Sequence, residues 1–326
     1  MRASAVPNVA ATVLCLPDGR DVAFAEYGDL AGVPVFAFHG TPGSRLQLAP
    51  ADAAAREARV RLIVPDRPGY GHSCFVPRRR LVDWPFDVLG IADHLGIDRF
   101  AVLGVSGGGP HALACAASGS SRIAAATVVS SPCPYPDGPE EVPGPRRWLA
   151  WLLEVPGLMW LVATIVVAVI RRLPRAAFDV ARRFMPEADR RVVDGVGFRE
   201  WFIDSSRRAS STTARAMAQD LVLFSREWRI GLDAIDIPVT IWHGTDDRLV
   251  EPSSADVLGT YIPHATLRRC PDEGHLLFAD RVADILNELV ATSPNGLEHT
   301  ATSDGQSAGL ANHSIRFGER PRSLEV

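Results

Sequence analysis

The segment Gly104-Val-Ser106-Gly107-Gly108 sets a serine hydroxyl between glycines two residues before and two after it, behind the apolar run FAVLGV and ahead of the run HALACAA. A serine is a weak nucleophile until a neighbouring base takes its proton, and the chain must also hold it clear of its surroundings. G-x-S-x-G in a strand-to-helix turn does the second task. The turn forces the serine into a strained backbone conformation, and the flanking chain comes so close that positions 104 and 108 have to be glycine. The helix that follows aims its first N–H groups at the place where negative charge would develop. Pro110 falls in its first turn, where a missing donor costs little. The pattern points to acyl chemistry with Ser106 as the attacking group.

Composition narrows the alternatives. All 34 residues of the Lys+Arg count are arginine. Without lysine there is no Schiff base and no P-loop lysine to reach a phosphate. No H-E-x-x-H or clustered His/Cys spacing is visible, so no metal set and no cofactor are expected. The net charge of −4 and the lack of a basic patch interleaved with aromatics argue against nucleic acid as a partner. Five scattered cysteines without a C-x-x-C pair suggest neither a disulfide framework nor a zinc knuckle. Together with an N-terminus whose weak apolar stretch is broken by Pro7 and Asn8, they lead to the expectation of a cytoplasmic protein.

The elements that must carry Ser106 follow from the hydrophobic pattern. DVAFAEYG, PVFAFHG, RLIVPD and FAVLGVS read as strands, with helices over 44 to 58, 81 to 95 and 108 to 118. VFAF, LIV and AVLGV are continuous apolar runs, as strands covered by helices on both faces require. Six prolines between 131 and 145 then interrupt the rhythm, and 146 to 229 reads as helix only. PVTIWHG and TLRRC resume the strands, and a helix is expected over 276 to 291. The reading is an α/β fold: a mostly parallel, doubly wound sheet of about eight strands with an inserted all-helical cap. Residues 1–19 form an extension or first strand, 20–130 and 236–291 the core, and 131–235 the Pro-rich linker and cap. The Ser/Thr/Gly/Asn-rich tail 292–326 has the composition of a disordered segment.

With these elements in place, the chain resembles the alpha/beta hydrolases over about residues 20 to 291, its motifs falling in that family's order. His39-Gly40-Thr41-Pro42-Gly43 is similar to the family's HG-x-P turn, in which the residue after the HG pair supplies one oxyanion-hole N–H. The resemblance implies that role for Thr41, with Gly107 as the second donor. His39 itself reads as a buried, hydrogen-bonded residue under the loop. Asp66-Arg-Pro-Gly-Tyr-Gly-His72-Ser resembles a structural turn of the family, so Asp66 and His72 are not expected in catalysis. The family's acid follows the strand that resumes the sheet, where His243-Gly-Thr-Asp246-Asp247 supplies two aspartates. The form G-x-x-D-x-x-V selects Asp247, while an extra residue before Pro252 leaves Asp246 open. His275, after the last strand, is the implied base, and His111 is expected to pack against the sheet. Ser, Asp, His is the family's chain order.

What the resemblance implies is a serine hydrolase that cleaves a carboxylic ester of an apolar acyl group through a Ser106–His275–Asp247 triad and an acyl-enzyme. Two alternatives stay open: cleavage of a carbon–carbon bond in a diketone-type substrate, and a catalytically slow ligand receptor on the same fold.

The insert raises a separate question. Its uncharged stretch Val155 to Ile170 is 16 residues long, and a spanning helix needs about 20. A single crossing would also put Ser106 and His275 on opposite sides of a membrane. The plainer reading is a cap that roofs an apolar acyl pocket. The sharper one adds peripheral docking on a membrane surface. Residues 146 to 229 hold 15 Arg against nine Asp or Glu, so a cap of +6 sits on a remainder of −10.

Overall fold

The computed structural model describes residues 10–134, 157–195, 197–210 and 214–293. Most of the Pro-rich linker, the start of the apolar insert at Trp148 and the C-terminal tail lie outside the described residues.

The chain begins with β1 (Thr12–Cys15), β2 (Asp21–Gly28) and β3 (Val33–Phe38), followed by α1 (Asp52–Glu57) and β4 (Val60–Pro65). Next come α2 (Trp84–His94), β5 (Phe100–Val105), α3 (Gly109–Ala116) and β6 (Ile123–Val129). Among the described residues, five helices follow: α4 (Leu158–Arg172), α5 (Pro174–Phe184), α6 (Glu187–Val193), α7 (Phe198–Ser210) and α8 (Ala214–Phe224). The chain then returns through β7 (Val239–Gly244), α9 (Ser253–Tyr261), β8 (Ala265–Cys270) and α10 (Leu277–Thr292).

The eight strands form one sheet in the order β1-β2-β4-β3-β5-β6-β7-β8. From β4 to β8 every pairing is parallel, while β2 runs antiparallel to both β1 and β4. The strand–helix rhythm alone suggests parallel pairing from residue 20 onward; β2 departs from it because only the link 29–32 joins it to β3. A link that short reverses the chain instead of crossing over a face, and β4 then enters between the two.

Continuous apolar strands here mean two-sided burial. Phe36 and Phe38 of β3 pack in one core with α2, α3 and α9, while Val35 and Ala37 pack in the other with α1 and α10. Phe100 and Val102 of β5 divide from Ala101 and Leu103 in the same way, so adjacent side chains of one strand serve opposite layers. All eight residues of α3 are buried. The small Gly, Ala and Cys side chains of that helix let it lie close against β5 and β6.

Topology fixes where chemistry can happen. The strand order turns around between β3 and β5, and in open α/β sheets the crevice at such a switch point, beyond the carboxyl ends of the strands, is the binding place. The turn after β3 holds Thr41 and the turn after β5 holds Ser106. The cap helices reach the core over this edge; Trp201 Nε1 donates to Leu46 O at 3.3 Å.

Candidate active site

Ser106 has φ of +52°, a left-handed backbone that a non-glycine residue adopts only when its surroundings impose it. Those surroundings are visible in the flanking glycines. A Cβ on Gly104 would stand 2.5 Å from Gly108 O, and one on Gly108 would stand 2.1 Å from Phe38 O. The elbow is therefore clamped between its own helix and the end of β3, and the serine is its half-buried tip.

His275 meets Ser106 from five residues beyond β8. Its Nε2 lies 3.0 Å from Ser106 Oγ and its Nδ1 2.8 Å from Asp247 Oδ2. Asp247 is buried three residues beyond β7. Its Oδ1 accepts the N–H groups of Leu249 and Val250, each at 2.8 Å. Burial by itself would raise this carboxyl's pKa, but hydrogen bonds from His243 and His275 and the turn amides outweigh it and hold the group well below the usual carboxylate range. An ionised Asp247 fixes the proton of His275 on Nδ1, which leaves Nε2 as an acceptor for the serine hydroxyl. Ser130 Oγ donates to His275 O at 3.0 Å and anchors the backbone of the same residue. Asp246, the competing aspartate, is exposed, and its N–H donates to Glu273 O at 2.9 Å, tying the acid turn to the loop that carries His275.

On the other side of Ser106, the turn 39–43 and the elbow are in contact. A Cβ on Gly40 would stand 3.3 Å from Ser106 Cβ, and one on Gly107 would stand 2.4 Å from Thr41 Oγ1. Among the described residues, neither the Thr41 N–H nor the Gly107 N–H is given to a protein acceptor. His39 is fully buried, with Nε2 accepting the Arg67 N–H at 3.2 Å. His111 is buried on α3 with Nδ1 3.1 Å from Gly107 O. Burial first, and the Arg67 charge second, push both imidazoles well below their ordinary pKa, so both are neutral.

The sequence pattern of the alpha/beta hydrolases, described as the alpha/beta hydrolase family, matches residues 35–288. The chain belongs to that family. Among its relatives is a non-heme haloperoxidase of Rhodococcus erythropolis, 28% identical over 283 residues that cover 83% of this chain and 96% of that protein. Solved structures of similar fold include a thermophilic esterase from Thermogutta terrifontis at TM-score 0.62 and 23% identity, covering 86% of this chain and 98% of the other. A bromoperoxidase from Bacillus anthracis superposes at TM-score 0.64 with 20% identity, covering 87% and 99%. Membership makes this chain an enzyme of the hydrolase class.

Within this alpha/beta hydrolase, four buried charged residues that sequence reasoning did not single out stand behind the site. Asp220 of α8 is fully buried. Its Oδ2 accepts from Arg67 Nη1 at 2.6 Å, Tyr70 Oη at 2.8 Å and Thr41 Oγ1 at 2.9 Å, and its Oδ1 pairs with Arg79. Burial opposes the charge, yet Arg67 and Arg79 hold Asp220 well below the ordinary carboxylate pKa. Asp189 of α6 packs over the loop of His275: Oδ1 accepts the Leu276 N–H at 2.8 Å, and a Cβ on Gly274 would stand 2.3 Å from that oxygen. Burial raises the Asp189 pKa. The one signal for Asp220 was a lone acid inside the apolar run AMAQDLVLF, a position where charge is rare without a partner. His243 is a further addition, with Nε2 3.3 Å from Asp247 Oδ2 and 3.1 Å from Val250 O. Asp66 is structural in its contacts, bonded to Arg45 and to the His72 N–H.

All five cysteines are free thiols. Among the described residues no group of His, Cys, Asp or Glu is arranged to hold a metal ion, and no helix is long and apolar enough to cross a membrane.

Proposed function

We propose that this alpha/beta hydrolase is a serine esterase acting on carboxylic esters of apolar acyl groups. The observation that carries the reading is the placement of one imidazole between a carboxylate at 2.8 Å and the elbow serine at 3.0 Å. As Ser106 Oγ attacks the acyl carbon, its proton passes to His275 Nε2, and Asp247 stabilises the imidazolium while keeping the ring in register. The carbonyl oxygen, now an anion, is taken by the N–H groups of Thr41 and Gly107. His275 then gives its proton to the departing alkoxide, leaving an acyl-Ser106. A water activated by the same imidazole returns the serine. Each oxyanion donor is worth about 3 to 4 kcal/mol in comparable sites.

An apolar acyl group is favoured by the cap. The Phe224 ring of α8 would stand 3.0 Å from a Cβ on Gly107, so a hydrophobic side chain bounds the space over the elbow. A chain-length series of p-nitrophenyl esters tests the reading: turnover rising with acyl length and abolished by Ser106→Ala supports it. No turnover of any ester, with hydrolysis of a vinylogous 1,5-diketone instead, would move the protein to carbon–carbon bond cleavage. Tight binding of an apolar ligand without turnover would make it a receptor.

A second reading, docking on anionic lipid from the cytoplasmic side, rests on the outer face of the cap. Trp160, Leu161 and Ile165 of α4 are about half exposed, and Phe184 of α5 is 79% exposed beside the exposed Arg183. Co-sedimentation with phosphatidylglycerol vesicles, lost on Trp160→Ser/Phe184→Ser, supports it. Failure to sediment at low salt sinks it.

A further inference from the structure

Arg67 bonds directly to the peptide unit assigned above as an oxyanion donor. Its Nη2 donates to Gly40 O at 3.0 Å and to Thr41 Oγ1 at 2.6 Å. The Gly40 carbonyl and the Thr41 N–H are the two ends of one peptide group. The same carbonyl has a second donor: His39 Nε2 accepts from the Arg67 N–H, which leaves the ring proton on Nδ1, 2.9 Å from Gly40 O. Both lone pairs of Gly40 O are thereby occupied, one of them by a cation.

A peptide group is electronically coupled from oxygen to nitrogen. Drawing density onto Gly40 O leaves the Thr41 N–H more positive and a stronger donor, and chains of hydrogen bonds reinforce one another in this way. Arg67 is fully buried, so neither solvent nor salt screens its charge. The Thr41 hydroxyl accepts from Arg67 and donates to Asp220, so its proton is committed and the backbone N–H alone is left for the substrate. Arg67 and Arg79 share one carboxylate, Asp220, while His39 and His111 are neutral and Arg45 is balanced by Asp66. The Arg67 guanidinium therefore lies buried directly behind the turn that would meet the oxyanion.

We propose that Arg67, oriented by Asp220 of the cap, is a positioning residue that fixes and polarises the Gly40–Thr41 peptide as an oxyanion donor. The cap thus shapes the catalytic centre through α8 as well as roofing it. The proposal rests on the serine-esterase reading of Ser106.

The test is Arg67→Met, read in three ways. On the best p-nitrophenyl ester, kcat is expected to fall about tenfold to a hundredfold with KM changed less than about threefold, since an oxyanion donor is weakened and not removed. Inhibition by a matched aryl trifluoromethyl ketone, which captures Ser106 as an anionic hemiketal, should weaken by the same factor. Binding of the corresponding alcohol, which forms no anion, should not change. A purely structural role predicts equal weakening for both ligands, and that result, or a wild-type kcat, overturns the proposal. If Arg67→Met does not fold, Arg67→Met/Arg79→Met/Asp220→Leu removes the whole buried ionic cluster, leaves no unpaired charge and is read identically. Wild-type protein that hydrolyses no ester would instead remove the esterase reading, and this proposal with it.

Discussion

The two sides of Ser106 are each governed by a buried aspartate, and they are built differently. On the base side, Asp247 is held by the amides of Leu249 and Val250 and by His243, all within four residues of it. On the Thr41 side, Asp220 reaches Arg67 and Thr41 across 153 and 179 residues of chain, from α8 to the turns after β3 and β4. The Asp247 side assembles from local turns beyond the strands of the sheet. The Thr41 side has its carboxylate only when α8 is packed against those turns. Asp189 of α6 adds a smaller contact on the His275 side, accepting the backbone N–H of Leu276.

Asp247→Asn should be the most damaging to rate, because an amide cannot hold the His275 tautomer; kcat is expected to drop about 10³- to 10⁴-fold with the protein still folded by circular dichroism. Asp220→Ala should be the most damaging to stability. It leaves Arg67 and Arg79 buried without their carboxylate, at a cost of about 3 to 5 kcal/mol measurable by urea unfolding. Asp189→Asn keeps an oxygen for the Leu276 N–H and should cost only about 1 kcal/mol, with kcat within a fewfold of wild type.

Acid sharpens the same contrast. Asp220 has a folded pKa depressed below its unfolded value of about 3.9, so its stabilisation is present above that pH and is lost as pH falls through the depressed range. Between about pH 5 and pH 2, wild type should therefore lose stability more steeply than Asp220→Asn, which has no carboxylate to protonate. Parallel stability curves would show that folding does not depress the Asp220 pKa.

This division also explains what could be read from the sequence. Ser106 with Gly104 and Gly108 is a local rule of backbone sterics, and the apolar runs of β3, β4 and β5 announce strands covered on both faces. Asp247 and His275 were legible as candidates because each follows a strand by a few residues, and of the two neighbouring acids Asp247 is the one in contact with His275 while Asp246 is exposed. Arg67 was passed over as part of a structural turn, and Asp220 as one acid in an apolar helix. Neither has a local pattern, since their meaning lies in a contact between segments that only the packed cap creates. The reversed direction of β2 was hidden for a similar reason: alternation of strands and helices carries no sign for a strand joined by the short link 29–32.

A Ser106 nucleophile activated by His275 would react covalently with an organophosphorus electrophile. Incubation of the wild-type protein, Ser106→Ala and His275→Ala with a fluorophosphonate, followed by intact mass and peptide mapping, reads this directly. A single adduct on Ser106 in wild type, absent in Ser106→Ala and strongly slowed in His275→Ala, is the predicted result. A folded wild-type protein that takes no label, or one labelled equally in all three, would contradict it.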